Sequence, residues 1–203
     1  MFYEPANGHG LPHDPFRNIV APRPIGWIST LDADGLANLA PYSFFNAVCG
    51  SPPMVGFASE GMKHSATNAL ATGEFAVNVV GRPMADKMNV TSTRVPGEID
   101  EFELAGLERE ECLLIAPPRV KGAPATLECR VTGNHELIGL DGEATDRMMV
   151  FGQVIGVHID DEYLTEGMFD IVKAQTIARL GYRDYAQVTE VFSIMPPPAV
   201  LDH

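Results

Sequence analysis

Two β-compatible runs, Ile25-Gly26-Trp27-Ile28-Ser29-Thr30-Leu31 and Leu36-Ala37-Asn38-Leu39-Ala40, flank the turn Asp32-Ala33-Asp34-Gly35. This pattern commits the chain to antiparallel pairing near its start, because Gly35 is free to take the positive φ that a tight hairpin needs. The rest of the chain keeps to it. An apolar run at 54–58, another at 75–80, and two longer ones at 125–138 and 149–159 joined through Asp141-Gly142 read as strands. Helical signals are short: 65–71, with Ser65 as N-cap and Gly73 as C-terminal cap, and 83–90, with Pro83 at its start. No strand–helix alternation of the kind that builds a parallel doubly wound sheet is present. The expected fold is mainly β, an antiparallel barrel with short helical insertions, since closure removes exposed strand edges.

At 203 residues the chain suits one domain with appendages. Residues 1–21, with Pro5, Pro12, Pro15, Gly8 and Gly10, read as an extended arm, tied down by Phe2, Tyr3 and Phe16 if by anything. The barrel domain is expected over 22–192, and 193–203, with Pro196-Pro197-Pro198, as a Pro-rich tail. The formal charge of −13 argues against nucleic acid and anionic membrane as partners, since both need cations to meet phosphates. No apolar run approaches the roughly 20 residues of a membrane helix, and the start MFYEPANGHG lacks the features of a secretory signal, so a cytoplasmic location is expected. Cys49, Cys112 and Cys129 are odd in number and far apart, giving neither a disulfide framework nor a zinc knuckle. The seven carboxylates between Glu98 and Glu111 read as a solvated surface segment.

The strong catalytic motifs GxGxxG, GxxxxGK, HExxH and GxSxG are missing. Two quieter features remain. Lys63 is the only formal cation between Arg23 and Arg82, and it sits in Ser59-Glu60-Gly61-Met62-Lys63-His64-Ser65-Ala66-Thr67-Asn68. An ammonium, hydroxyls and a helix N-terminus after an apolar strand are what a monophosphate needs, although a capped surface helix with a solvated Lys reads the same way. The segment Asn38-Leu39-Ala40-Pro41-Tyr42-Ser43-Phe44-Phe45-Asn46 sets aromatic faces beside hydroxyl and amide groups on a Pro-bent strand end, where a planar ring could lie. Trp27 is either the core anchor of the first strand or a cover over a flat ligand.

Together these segments resemble the flavin reductase-like, FMN-binding split-barrel family. The resemblance rests on Arg23-Pro24-Ile25-Gly26-Trp27-Ile28-Ser29-Thr30, the 38–46 segment, Pro52-Pro53-Met54-Val55, Lys63-His64-Ser65-Ala66-Thr67-Asn68, Thr72-Gly73-Glu74-Phe75-Ala76-Val77-Asn78 and Ala178-Arg179-Leu180-Gly181-Tyr182-Arg183-Asp184-Tyr185. It implies an antiparallel six-stranded split barrel, a homodimer, and FMN (FAD being the alternative flavin) in a groove near the dimer interface. Carried over by position, Ser29, Thr30, Asn38, Ala40, Pro41, Tyr42 and Ser43 would line the ring and ribityl chain, while Ser59, Lys63, Ser65 and Asn68 would hold the phosphate. Trp27 would cover the ring, and Arg179 would reach the phosphate or the interface. The family often has Lys-Asp-Thr where this chain has Lys63-His64-Ser65, and the His-containing tail motif that some two-component reductases use for nicotinamide is not found. The implied activity is hydride transfer from NADH or NADPH to flavin, with electrons passing to free flavin, a partner monooxygenase or another acceptor. The competing reading is an FMN-binding module, a carrier, store or sensor without nicotinamide turnover. No catalytic residue is assigned, because the flavin itself does the redox chemistry, and no metal ligand is expected, because the histidines are scattered with no Cys or carboxylate set at ligand spacing.

Overall fold

The structure, a computed structural model, describes residues 1–197. Seven strands form its main sheet: β1 (Gly26–Leu31), β2 (Ala37–Tyr42), β3 (Phe45–Gly50), β4 (Pro53–Glu60), β5 (Glu74–Asn78), β6 (Ala125–Ile138) and β7 (Ala144–Ile159). Their order across the sheet is β2-β1-β5-β6-β7-β4-β3, with every neighbour antiparallel. The first hairpin forms as the sequence predicts. Asp32 Oδ1 accepts from the N–H groups of Asp34 and Leu36 at 2.9 and 2.8 Å, and Gly35 takes φ 84°. The long β6–β7 hairpin likewise turns at Asp141-Gly142.

β2 and β3 are the two outer strands of this order, yet only Ser43 and Phe44 join them. Six strand spacings would set the edges of a flat sheet about 29 Å apart, whereas three peptide units reach about 11 Å at most. The sheet therefore curls until its edges meet, a barrel whose last pair is linked through the chain rather than by a ladder. The seam is tight: a Cβ on Gly26 would lie 2.6 Å from Phe45 Cδ2, so the Phe45 ring rests directly on β1 backbone. The sheet has one strand more than the six expected, and the addition is β3, mostly exposed along its length.

Trp27 and Ile28 show how the sheet divides the apolar side chains, since adjacent strand residues face opposite sides. Ile28 joins Phe57, Phe75, Val77, Cys129 and Val150 inside the barrel. Trp27 joins Leu39, Val80, Met88, Phe102, Val120 and Ile177 in an outer layer, where α2 (Ala85–Val90) and α3 (Glu101–Leu104) pack on the sheet. Its indole N–H donates to Thr91 Oγ1 at 2.9 Å.

Several local expectations are corrected. The helix α1 spans His64–Thr72 and ends on Gly73 in the left-handed region (φ 77°), but Ser65 is not its N-cap: Lys63 holds that position without a side-chain cap bond. The Ser65 hydroxyl instead donates to Asn38 Oδ1 at 2.7 Å. The segment at 83–90 is split into a 3-10 turn (Arg82–Met84) and α2. The acidic stretch is not uniformly solvated, for Asp100 and Glu101 are buried. Asp100 caps α3 through Phe102 N–H and pairs with Arg109. The N-terminal arm carries a single helical turn (Phe16–Ile19), with Phe2 and Phe16 exposed. Its anchors are Arg23, whose guanidinium donates to the carbonyls of Arg17, Val20 and Leu180, and Asn18, which lies directly against Gly181. Residues 193–197 of the tail region are irregular and exposed, and the remainder of that region, 198–203, lies outside the described residues.

Candidate functional site

β2 is an outer strand, and its geometry sets up the site. Leu39 N–H points away from β1 and donates to Glu101 Oε2 at 3.0 Å. By the alternation of the ladder, Pro41 points the same way, and a residue with no N–H costs the sheet nothing at that position. Asn38, Ala40, Pro41, Tyr42 and Ser43 thus run along one wall of a cleft of about 910 Å³. The opposite wall comes from Ala58 and Glu60 at the end of β4 and from Lys63, His64 and Ser65 at the start of α1, while Thr91–Val95 and Arg147 of β7 complete it.

Hydrogen bonds lock the two walls together. Both carboxylate oxygens of Glu101 accept from Asn38 Nδ2, at 2.8 and 2.9 Å, which fixes the amide with Oδ1 towards Ser65. Tyr42 has its hydroxyl in reach of Ser65 and Ser59, and burial pushes its phenol up, so it stays protonated at neutral pH. Glu60 is the acidic centre of a small cation cluster, 2.7 Å from Arg147, 3.7 Å from Lys63 and 3.8 Å from Arg94. Arg147 first and then Lys63 hold its carboxyl below the ordinary range. The His64 ring rests against Gly97, which leaves it 3.2 Å from where a Cβ would stand. At the head of α1 the N–H groups of the first turn lack intrahelical acceptors, as at any helix start, and Lys63 stands beside them.

Of the residues expected at the site, Asn38, Ala40, Pro41, Tyr42, Ser43, Lys63 and Ser65 line this one cleft. Thr30 and Asn68 are buried behind it and hydrogen-bonded to each other at 3.3 Å. Ser59 is buried with its hydroxyl donating to Gly61 O. Ser29 and Trp27 belong to the outer layer, Ser29 donating to Pro118 O at 2.6 Å and Trp27 supporting the cleft wall only through Thr91. Arg179 lies over the Tyr185 ring, 4.5 Å from its centroid, in a separate hollow. Sequence reasoning missed Arg17, Arg94, Arg147 and Glu101. The three arginines come from distant parts of the chain and carry no local motif. Glu101 was concealed by the acidic run around it; its one signal was Asp100 as an N-cap followed directly by a carboxylate on the buried side of a helix start.

The fold and cleft define a mainly antiparallel barrel with a polar, partly cationic site at the junction of an outer strand and a helix start. The model of the flavin reductase like domain matches residues 17–179, and the chain belongs to that family. It is 34% identical over 175 residues to an uncharacterized protein of Aquifex aeolicus, covering 83% of this chain and 86% of that one. Nitrilotriacetate monooxygenase component B from Bacillus cereus superposes with a TM-score of 0.85 at 27% identity, over 96% of this chain and 98% of the other. A Shewanella frigidimarina structure with a split barrel domain gives 0.78 at 24% identity over 90% of each chain, which identifies the fold as a split barrel. Among the described residues, no helix is long and apolar enough to cross a membrane.

Proposed function

We propose that the protein is an FMN-dependent oxidoreductase of the flavin reductase type, using NADH or NADPH as electron donor. The observation that carries this reading is the convergence, in one cleft of a family member, of the 38–43 strand end and the Lys63–Ser65 helix start. The cleft is large enough for a mononucleotide. Lys63, Ser65 and the free N–H groups at the head of α1 match a phosphate, and Arg94 and Arg147 add positive charge beside them. The 38–43 wall offers the flat surface and backbone polar groups of an outer strand to the flavin ring.

Bound FMN would supply the redox chemistry between the nicotinamide donor and an acceptor, whether free flavin, a partner monooxygenase or another. This chain's residues bind and orient it. Glu101 sets Asn38, Asn38 sets Ser65, and buried Tyr42 stays un-ionised beside them. The likeness to a monooxygenase component supports a partner oxygenase as one acceptor. A homodimer is part of the same reading, supported by the apolar β6–β7 tip, where Ile138 and Leu140 stand exposed.

The test is spectroscopic. Purified protein mixed with FMN and passed through gel filtration is expected to retain flavin absorbance and to oxidise NADH or NADPH in the steady state. Retained flavin that neither nucleotide reduces would establish the binding module instead. Failure both to retain flavin and to turn over either nucleotide with added FMN would overturn the flavin reading.

A further inference from the structure

Away from the cleft, the segment 112–120 is fastened to the outer face of the sheet by side chains that reach out to its backbone. Asn78 accepts from Val120 N–H, Glu74 from Ala116 N–H, and Glu128 from Leu113 and Leu114 N–H at 2.8 and 2.6 Å. At one end of this segment three different metal-ligand types converge. Cys112 Sγ, a Glu128 carboxylate oxygen and a His158 ring nitrogen all lie within 4.8 Å of one another. We propose that Cys112, Glu128 and His158 form a site for one divalent ion of the zinc class, completed by water, that ties segment 112–120 to the β6–β7 hairpin.

The strand register explains the convergence. Glu128 pairs with Gly156 and Thr126 with His158, so Glu128 and His158 are diagonal neighbours on the outer face. Gly156 has no side chain there, and a Cβ would lie 3.3 Å from Glu128 Cδ. Cys129 faces the barrel interior, one residue along and on the opposite side, so it cannot serve as a disulfide partner for Cys112 without reversing the strand. A tetrahedral ion with bonds of about 2.0–2.3 Å needs its ligands about 3.5 Å apart, so the His158–Glu128 pair, now at 2.5 Å, opens by about an ångström, and Cys112, within 4.8 Å of both, closes in. Each carboxylate oxygen has two acceptor positions. Glu128 Oε1 serves Leu113 and His158, but Oε2 serves only Leu114, leaving room for a metal bond while the amides hold the carboxylate in place. On binding, His158 exchanges its 2.5 Å contact with Glu128 for the ion, and the thiol proton leaves to solvent. One thiolate and one carboxylate then balance a dication, and the mixed sulfur, nitrogen and oxygen set favours zinc over magnesium or calcium. Cys112 and His158 open onto separate surface hollows, so water reaches the cluster from outside.

Protein stripped with a chelator and desalted is titrated with Co2+ as the probe. The expected result is a one-to-one endpoint, with the visible bands of tetrahedral cobalt and a near-ultraviolet thiolate charge-transfer band, both bleached by Zn2+. Cys112→Ser removes the charge-transfer band, and it and His158→Ala each weaken binding at least about tenfold. Cys49→Ser, on the exposed strand β3, changes neither. No cobalt spectrum in the parent protein, or one that survives Cys112→Ser at parental affinity, overturns the proposal and leaves the cluster as a hydrogen-bonded Glu128–His158 pair beside a thiol. The readout does not involve flavin, so it is independent of the proposed oxidoreductase activity.

Discussion

Lys63 and Ser65 carry the sharpest residue-level consequence of the cleft. A charge-assisted bond to phosphate is worth about 1.5–3 kcal/mol, or about ten- to a hundredfold in affinity. Lys63→Ala is therefore expected to weaken FMN by that factor while leaving riboflavin, which has no phosphate, nearly unchanged, whereas Ser65→Ala, which removes a hydroxyl whose one proton is held by Asn38, should weaken FMN less; fluorescence titration of both flavins checks this. Equal losses would place the phosphate elsewhere. Glu60 gives a pH signature. Its carboxyl is held below the ordinary value by Arg147 and Lys63, so the pairing contributes above the ordinary Glu pKa and fades as pH falls through the lowered one. The difference in Tm between the parent and Glu60→Gln is expected at pH 7, should begin to shrink as pH drops below the ordinary Glu value of about 4.3, and should vanish only below the lowered one. Because these groups are half-exposed, the difference is small.

At the scale of elements, legibility followed how local each cause was. The β1–β2 hairpin could be read because its turn residues sit next to the strands they join, and Gly73 could be read because a helix end has its own chemistry. Ser65 was misassigned as a cap for a non-local reason: its hydroxyl is claimed by Asn38, whose amide is in turn held by Glu101. That chain of bonds spans three elements and leaves no trace in local spacing. The Lys63 side of the cleft was visible as a lone cation before a helix, whereas Arg147 enters only because the β7 register sets it opposite Glu60. Strand β3 was missed for lack of alternation; it is an outer strand largely exposed on both sides, so no face had to be apolar. The seam that β3 forms can be tested. Gly26→Ala forces the Phe45 ring off β1 and is expected to cost about 1–3 kcal/mol in urea unfolding. The same substitution beside Phe45→Ala should cost much less.

For the whole molecule, a charge of −13 coexists with a cleft that gathers Arg17, Lys63, Arg94 and Arg147. A dispersed negative surface keeps copies apart, so association depends on an apolar patch strong enough to overcome it. The β6–β7 tip is the place to probe. Leu140→Asp is expected to move the proposed dimer towards monomer in sedimentation velocity, with the Tm of the monomeric unit little changed because Leu140 is fully exposed within the chain.

The two-residue link between β2 and β3 also dictates an order of events during synthesis. These strands leave the ribosome side by side, but the ladder that separates them needs β6 and β7, which come last. A nascent chain ending before residue 125 holds the three-stranded β2-β1-β5 sheet and the β3–β4 hairpin, both with unpaired edges and no strands to join them. Closure must wait for contacts distant in sequence, which makes folding slow and late. The half-made barrel is thus the form most exposed to aggregation, and chaperone dependence should end once the 125–159 hairpin has emerged.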